Sequence, residues 1–188
     1  MFLNQIDKSL SYLVSNYDIL KKLKGYNIQC IVYSDLNKFN SILELLPNSK
    51  QSVFILIRSS ASSGHWTSLT RNGNKLTYFD SYGIGPDGEL VHIDTQTRIQ
   101  LFEDKPILSE LLKQRPKEFQ LEFNKTHLQH YGKLNNVEIN TCGKYNCVIV
   151  KLLLNDISLK QFQERMKNIH DKTKLTYDEI ISLIYDVI

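Results

Sequence analysis

Residues 64–83 read Gly-His-Trp-Thr-Ser-Leu-Thr-Arg-Asn-Gly-Asn-Lys-Leu-Thr-Tyr-Phe-Asp-Ser-Tyr-Gly. Two strand-like runs, His65 to Thr70 and Lys75 to Asp80, flank Arg71-Asn72-Gly73-Asn74. Asn-Gly between such runs is the strongest short hairpin signal. With Asn72-Gly73 as a two-residue loop, His65 sits directly opposite Asp80 on one face, Cβ atoms roughly 4.5 to 5.5 Å apart. The carboxylate would then accept a hydrogen bond from one imidazole nitrogen, fix the ring tautomer and leave the other nitrogen free as a base. The pairing depends on the turn type, because a loop shifted by one residue would break it.

Upstream, Val53 to Arg58 is a short apolar, β-branched run and reads as a buried strand. Asn27 to Tyr33 reads as another strand. Ser34 can cap a helix running through Ile42, Leu43, Leu45 and Leu46, which Pro47 stops. Residues 6–23 predict one amphipathic helix, with Ile6, Leu10, Leu13, Tyr17 and Leu20 on a face and Gly25 as terminator. Ser59 to Gly64 is a polar surface loop. Downstream, Gly83 to Gly88 is a turn cluster, and residues 89–103 carry no clear pattern. Pro106 to Gln114 predicts a helix, Glu118 to Phe123 a strand, and Thr126 to Gln129 is strand-like. From Cys142 an apolar run interrupted at Lys151 predicts a helix of about 12 residues, with Asn140 or Thr141 as N-cap. Ser158 with Gln161, and Thr176 with Glu179, have capping-box spacing and open two more helices. Helical ends around a strand-rich middle make the class α+β, and 188 residues fit a single domain over 1–188.

The composition is 41% hydrophobic and 23% charged, which excludes global disorder and fibrous repeats. A net charge of +3 is too weak to indicate nucleic acid by itself. No apolar run approaches the roughly 20 residues of a membrane span, so no membrane partner is expected. The first residues lack the basic and apolar regions of a secretory signal. Cys30, Cys142 and Cys147 are the cysteines, and an odd, small number fits free thiols in a reducing compartment. Ala61 is the single alanine, and with abundant Asn, Lys, Ile and Leu it suits an AT-rich genome.

A base needs a nucleophile, and Cys142 lies at the predicted start of an apolar helix. The helix dipole there favours thiolate. Gly143 allows close approach of a substrate carbonyl. The backbone N–H of Cys142 could donate to a developing oxyanion. The chain thus holds a Cys–His–Asp set in the order His65, Asp80, Cys142. Taken alone, Cys142 would be an inert buried thiol and His65 a structural histidine; the joint pattern reverses that reading. Cys147 and Cys30 read as core.

Gly64-His65-Trp66, Tyr78-Phe79-Asp80-Ser81-Tyr82-Gly83 and Asn140-Thr141-Cys142-Gly143-Lys144-Tyr145 together resemble the adenovirus-protease-like cysteine peptidases. That group includes adenoviral maturation proteases, enzymes of virophages and Maverick/Polinton elements, and more distantly the SUMO-deconjugating proteases. The match spans residues of about 53 to 154 in order. The resemblance implies the papain-like superfamily in the permuted order His-Asp-Cys. It implies a central mixed sheet with the nucleophile at the N-terminus of a buried helix and with flanking N- and C-terminal helices. It makes His65 the general base, Asp80 its orienting acid, Cys142 the nucleophile and Trp66 the substrate-side aromatic beside the histidine. The family's oxyanion-hole glutamine usually lies six or seven residues before the cysteine, where this chain has Asn136 and Asn135. Gln129, 13 residues upstream, is favoured on local context, with an insertion after it; Asn135 or Asn136 is the alternative.

A zinc site from His127, His130, Cys142 and Cys147 is disfavoured by loose spacing. Gly83, Gly85 and Gly88 spell a dinucleotide-like motif with no apolar helix after it. No cofactor or metal is expected. The resemblance implies an endopeptidase acting on viral capsid precursors next to small residues, inside the host cell or virion. A peptide or DNA could activate it, as in some relatives. The alternatives are a protease that removes a ubiquitin-like modifier, and an inactive binding module with the same fold.

Overall fold

The computed structural model describes residues 2–134 and 136–188. The middle of the chain builds a five-stranded sheet from β1 (Ile28–Val32), β2 (Lys50–Arg58), β3 (Gly64–Asn72), β4 (Lys75–Phe79) and β5 (Gln120–Phe123), in that spatial order. The outer pairs β1–β2 and β4–β5 are parallel; β2–β3 and β3–β4 are antiparallel. The sheet is mixed, as expected, and helices cover both faces. Val53, Ile55 and Ile57 join one core with Leu69, Leu76, Tyr78 and α5 (Ile107–Lys113). Phe54 joins the other with Trp66, Phe79 and α6 (Cys142–Leu154). Burial on both faces is why β2 reads as an unbroken apolar run. The helices α7 (Leu159–Thr173) and α8 (Tyr177–Val187) pack on this second core, and both open with the capping boxes read from sequence.

Several local expectations change. The hairpin loop is Gly73-Asn74, since Asn72 pairs with Lys75 and Ser68 with Phe79. Gly73 has φ +61°, and a type II′ turn wants glycine at its first central position. Moving the loop by one residue moves each partner by two, so facing is preserved. The ladder ends at Phe79, and Asp80 just beyond it reaches His65 diagonally. The N-terminal helix is two helices, α1 (Phe2–Ser11) and α2 (Asn16–Lys22). Ser15 and Asp18 form a capping box that starts the second one, and Val14, Ile19 and Leu23 are buried where Leu13, Tyr17 and Leu20 are exposed. Residues after Ser34 make a 3-10 turn (Tyr33–Lys38) and a four-residue α3 (Ile42–Leu45). The unpatterned stretch forms a 3-10 turn (Gly88–His92) and α4 (Thr95–Leu101). Residues 126–129 are irregular rather than a strand, and a small hairpin, β6 (Lys133–Leu134) with β7 (Val137–Glu138), follows them.

The end of α1 and the segment that joins it to α2 strap the start of α6. Asn140 N–H donates to the Leu10 carbonyl at 2.8 Å and the Trp66 indole to the Val14 carbonyl at 2.9 Å. Gly143 lies under Val14, where an added Cβ would fall 2.6 Å from the valine Cβ. Gly143→Ala is therefore expected to lower stability by about 1–3 kcal/mol in urea unfolding. Adding Val14→Gly should cost less than the two single losses combined, because the valine Cβ that the new methyl would strike is then gone.

Candidate active site

The first turn of α6 has no side-chain cap. Thr141 turns its hydroxyl to Asp178 of α8, and the Asn140 amide goes to the Ser11 carbonyl. This differs from the expected capping by either residue, and it leaves the first N–H groups of the helix to the site itself. The backbone N–H groups of Gly143 and Trp66 favour the charged form of the Cys142 sulfur. Asn146, one turn on, donates to the Cys142 carbonyl at 2.9 Å and to the Trp66 carbonyl at 2.7 Å. Its amide links the helix bearing the thiol to the strand bearing the imidazole.

His65 stands at the start of β3. Its Nε2 is 3.0 Å from Oδ1 of Asp80, which follows β4 and is fully buried. The same oxygen accepts the Tyr82 N–H at 2.7 Å. His65 also hydrogen-bonds the Cys142 thiol, so with Nε2 engaged by Asp80 it is Nδ1 that meets the sulfur. The Tyr82 ring stacks on the imidazole with centroids 4.5 Å apart and planes 16° from parallel. Trp66 is mostly buried, edge-on to Phe54, with its indole committed to Val14.

Burial alone would push the His65 imidazolium down; hydrogen bonds to Asp80 and Cys142, and their charges, override it and hold it well above the usual histidine range. Burial likewise pushes the Cys142 thiol up, and the His65 hydrogen bond and charge bring it below its ordinary value. Both shifts favour a thiolate–imidazolium pair over the neutral one. Burial pushes Cys30 up to about 12, and it raises Cys147 as well. Neither has thiolate character at neutral pH.

Gln129 is buried beside this group. Its Oε1 accepts from Ser81 Oγ at 2.7 Å, and its Nε2 reaches Tyr82 Oη at 3.3 Å and the Ile139 carbonyl at 3.4 Å. Asn136 is an exposed turn residue of the β6–β7 hairpin with φ +67°, and Asn135 lies outside the described residues. That hairpin fills the interval between Gln129 and Ile139.

Comparison with known proteins adds a relative. Protein V9 of Sputnik virophage, itself uncharacterized, is 30% identical over 172 residues, spanning 91% of this chain and 93% of V9. The chain belongs to the V9 family. No protein-family model matches. The crystal structure of the ASFV pS273R protease is similar at a TM-score of 0.50 and 14% identity, covering 95% of this chain and 68% of that one. The V9-family chain thus has the fold of that protease. The SUMO protease Ulp1 matches at a TM-score of 0.36 and 16% identity, over 95% of this chain and 75% of that one, too distant to argue from.

A cleft of about 520 Å³ opens beside Cys142, Trp66, Gly64 and Asn140, with Leu13 and Leu56 in its walls. Leu13, Val14, Ile31, Leu56 and Trp66 make its lining largely apolar. Sequence reasoning overlooked Asn146, Tyr82 and Glu89. An asparagine inside an apolar helix was the available signal for Asn146; Tyr82 sat in a quoted motif without a role. His65, Asp80 and Glu89 also form the one cluster of three donor atoms among the described residues, all within 4.8 Å of one another. A metal there would have to displace the His65–Asp80 hydrogen bond.

At pH 6, iodoacetamide is expected to label Cys142 and leave Cys30 and Cys147 untouched, as read by peptide mass spectrometry. In His65→Ala the labelling midpoint should rise toward that of an ordinary thiol, roughly 8.5.

Proposed function

We propose that this protein is a cysteine endopeptidase that cleaves structural precursor proteins of a virus particle during maturation. One observation carries the reading: the Cys142 thiol meets a His65 whose other nitrogen Asp80 holds. The Cys142 thiolate attacks the scissile carbonyl and its charge passes to the carbonyl oxygen. The Cys142 N–H holds that oxyanion in the uncapped mouth of α6, together with the Gln129 amide once an Nε2 hydrogen leaves its long bond to Tyr82 Oη. His65 gives its proton to the leaving amine as the C–N bond breaks. Water, deprotonated by His65, then attacks the thioester, the C–S bond breaks, and the carboxylic product leaves with the thiolate–imidazolium pair restored. These steps use side chains and backbone throughout, so no metal or organic cofactor enters them.

Trp66 acts by fixing the strand next to His65 and by lining the cleft where the peptide lies. The virophage relative supports a viral setting, and three free cysteines fit work inside a host cell or virion.

Incubation with capsid proteins encoded beside this chain should give discrete fragments, abolished by Cys142→Ala and His65→Ala. Cleavage of SUMO or ubiquitin conjugates with capsid proteins left whole would reject maturation in favour of deconjugation. Absence of any cleavage, with no capture by a peptide electrophile, would reject the enzyme. Gln129→Ala should lower kcat about a hundredfold, as loss of one oxyanion donor does, while Asn136→Ala leaves it unchanged.

A further inference from the structure

The 3-10 turn Gly88–His92 is pinned against the site. Asp87 before it accepts from Tyr33 Oη at 2.6 Å and from the Ser109 N–H at 2.7 Å, and Leu90 enters the core. Glu89 is thereby held inward and is 8% exposed. Its carboxyl lies against Asp80, within the 4.8 Å cluster that includes His65. One oxygen of each acid, Oδ2 of Asp80 and Oε1 of Glu89, is buried with no hydrogen-bond partner. Two ionised carboxylates so placed would repel, and each would leave lone pairs unmet in a dry interior. One proton between them removes both faults, since it gives Asp80 Oδ2 a donor and cancels one charge.

We propose that Glu89 is a positioning residue that carries a proton at neutral pH and donates it as a hydrogen bond to Oδ2 of Asp80, locking the carboxylate plane that holds His65. The negative charge stays on Asp80, which faces the imidazolium directly through Oδ1. The groups around Glu89 are His65 from β3, Tyr78 on β4, Asp80 after it, His92 on its own turn, and the phenols of Tyr82 and Tyr131. Burial pushes the Glu89 carboxyl up, the His65 charge opposes it, and the Asp80 charge and hydrogen bond add to the rise. The acid pair then presents a single charge to His65.

The role in turnover rests on the peptidase reading; the proton itself does not, and two measurements keep them apart. Carboxyl carbon-13 NMR of protein labelled at glutamate should show one protonated carboxyl at pH 7, missing in Glu89→Gln. Ionisation of every glutamate at that pH would overturn the proposal. So would binding of one Zn²⁺ equivalent that disappears in Glu89→Gln, which would make the cluster a cation site. In the second measurement, Cys142 alkylation at pH 7 should slow about tenfold in Glu89→Ala and stay within about threefold of wild type in Glu89→Gln, whose amide donates the same bond. Glu89→Ala behaving as wild type, or Glu89→Gln as poor as Glu89→Ala, also overturns it. Should Glu89→Ala not fold, the NMR comparison with Glu89→Gln decides. A protonated Glu89 beside an unreactive Cys142 would sink the peptidase alone.

Discussion

The side-chain amide of Asn146 is the constraint on which the site depends. It is fully buried and bonds two main-chain carbonyls, those of Cys142 and Trp66. Those carbonyls belong to the residue bearing the thiol and to the neighbour of the residue bearing the imidazole. A buried carbonyl left without a donor costs on the order of 1–3 kcal/mol. The helix therefore cannot slide or turn on the sheet without breaking a bond that water cannot replace. Everything the thiol and imidazole do to each other follows from that fixed placement.

Within this frame the charges are arranged in series. The Cys142 sulfur stands at the mouth of α6, where backbone N–H groups and the helix dipole both favour an anion. The imidazolium lies between the thiolate and the Asp80 carboxylate, with the Tyr82 ring against its face. Tyr82 in turn stacks on Tyr131, centroids 4.1 Å apart, so an aromatic column shields the imidazole on that side. Low local dielectric strengthens each of these contacts and raises the cost of any group left unmatched.

Much of the fold was legible because the signals were local. β2, α5, α6 and the two capping-box helices stand close to where pattern placed them, and the mixed sheet followed from the resemblance. The hairpin shows how a right contact can come from a wrong register: the loop was misplaced by one residue, yet strand parity kept His65 and Asp80 on one face. The long N-terminal helix failed because apolar spacing ran across a stop that the Ser15–Asp18 box imposes. The α6 cap failed because Thr141 and Asn140 are drawn to α8 and the α1–α2 strap, contacts no window of sequence contains. Glu89 was invisible for the same reason. It sits in a stretch without periodicity and gains its meaning from Asp80 alone.

The strap has a consequence for how the molecule comes to exist. Lys144, buried in α6, donates to Ser9 Oγ at 2.6 Å across 135 positions of chain, and Thr141 is held by Asp178 from the last helix. The ribosome makes the strap early and its anchors late. Until α8 is in place Thr141 lacks its partner, so the sulfur settles beside the ring only when elements far apart in the chain have met. Long-range closure of this kind is slow to form. It ties the geometry of the site to completion of the fold.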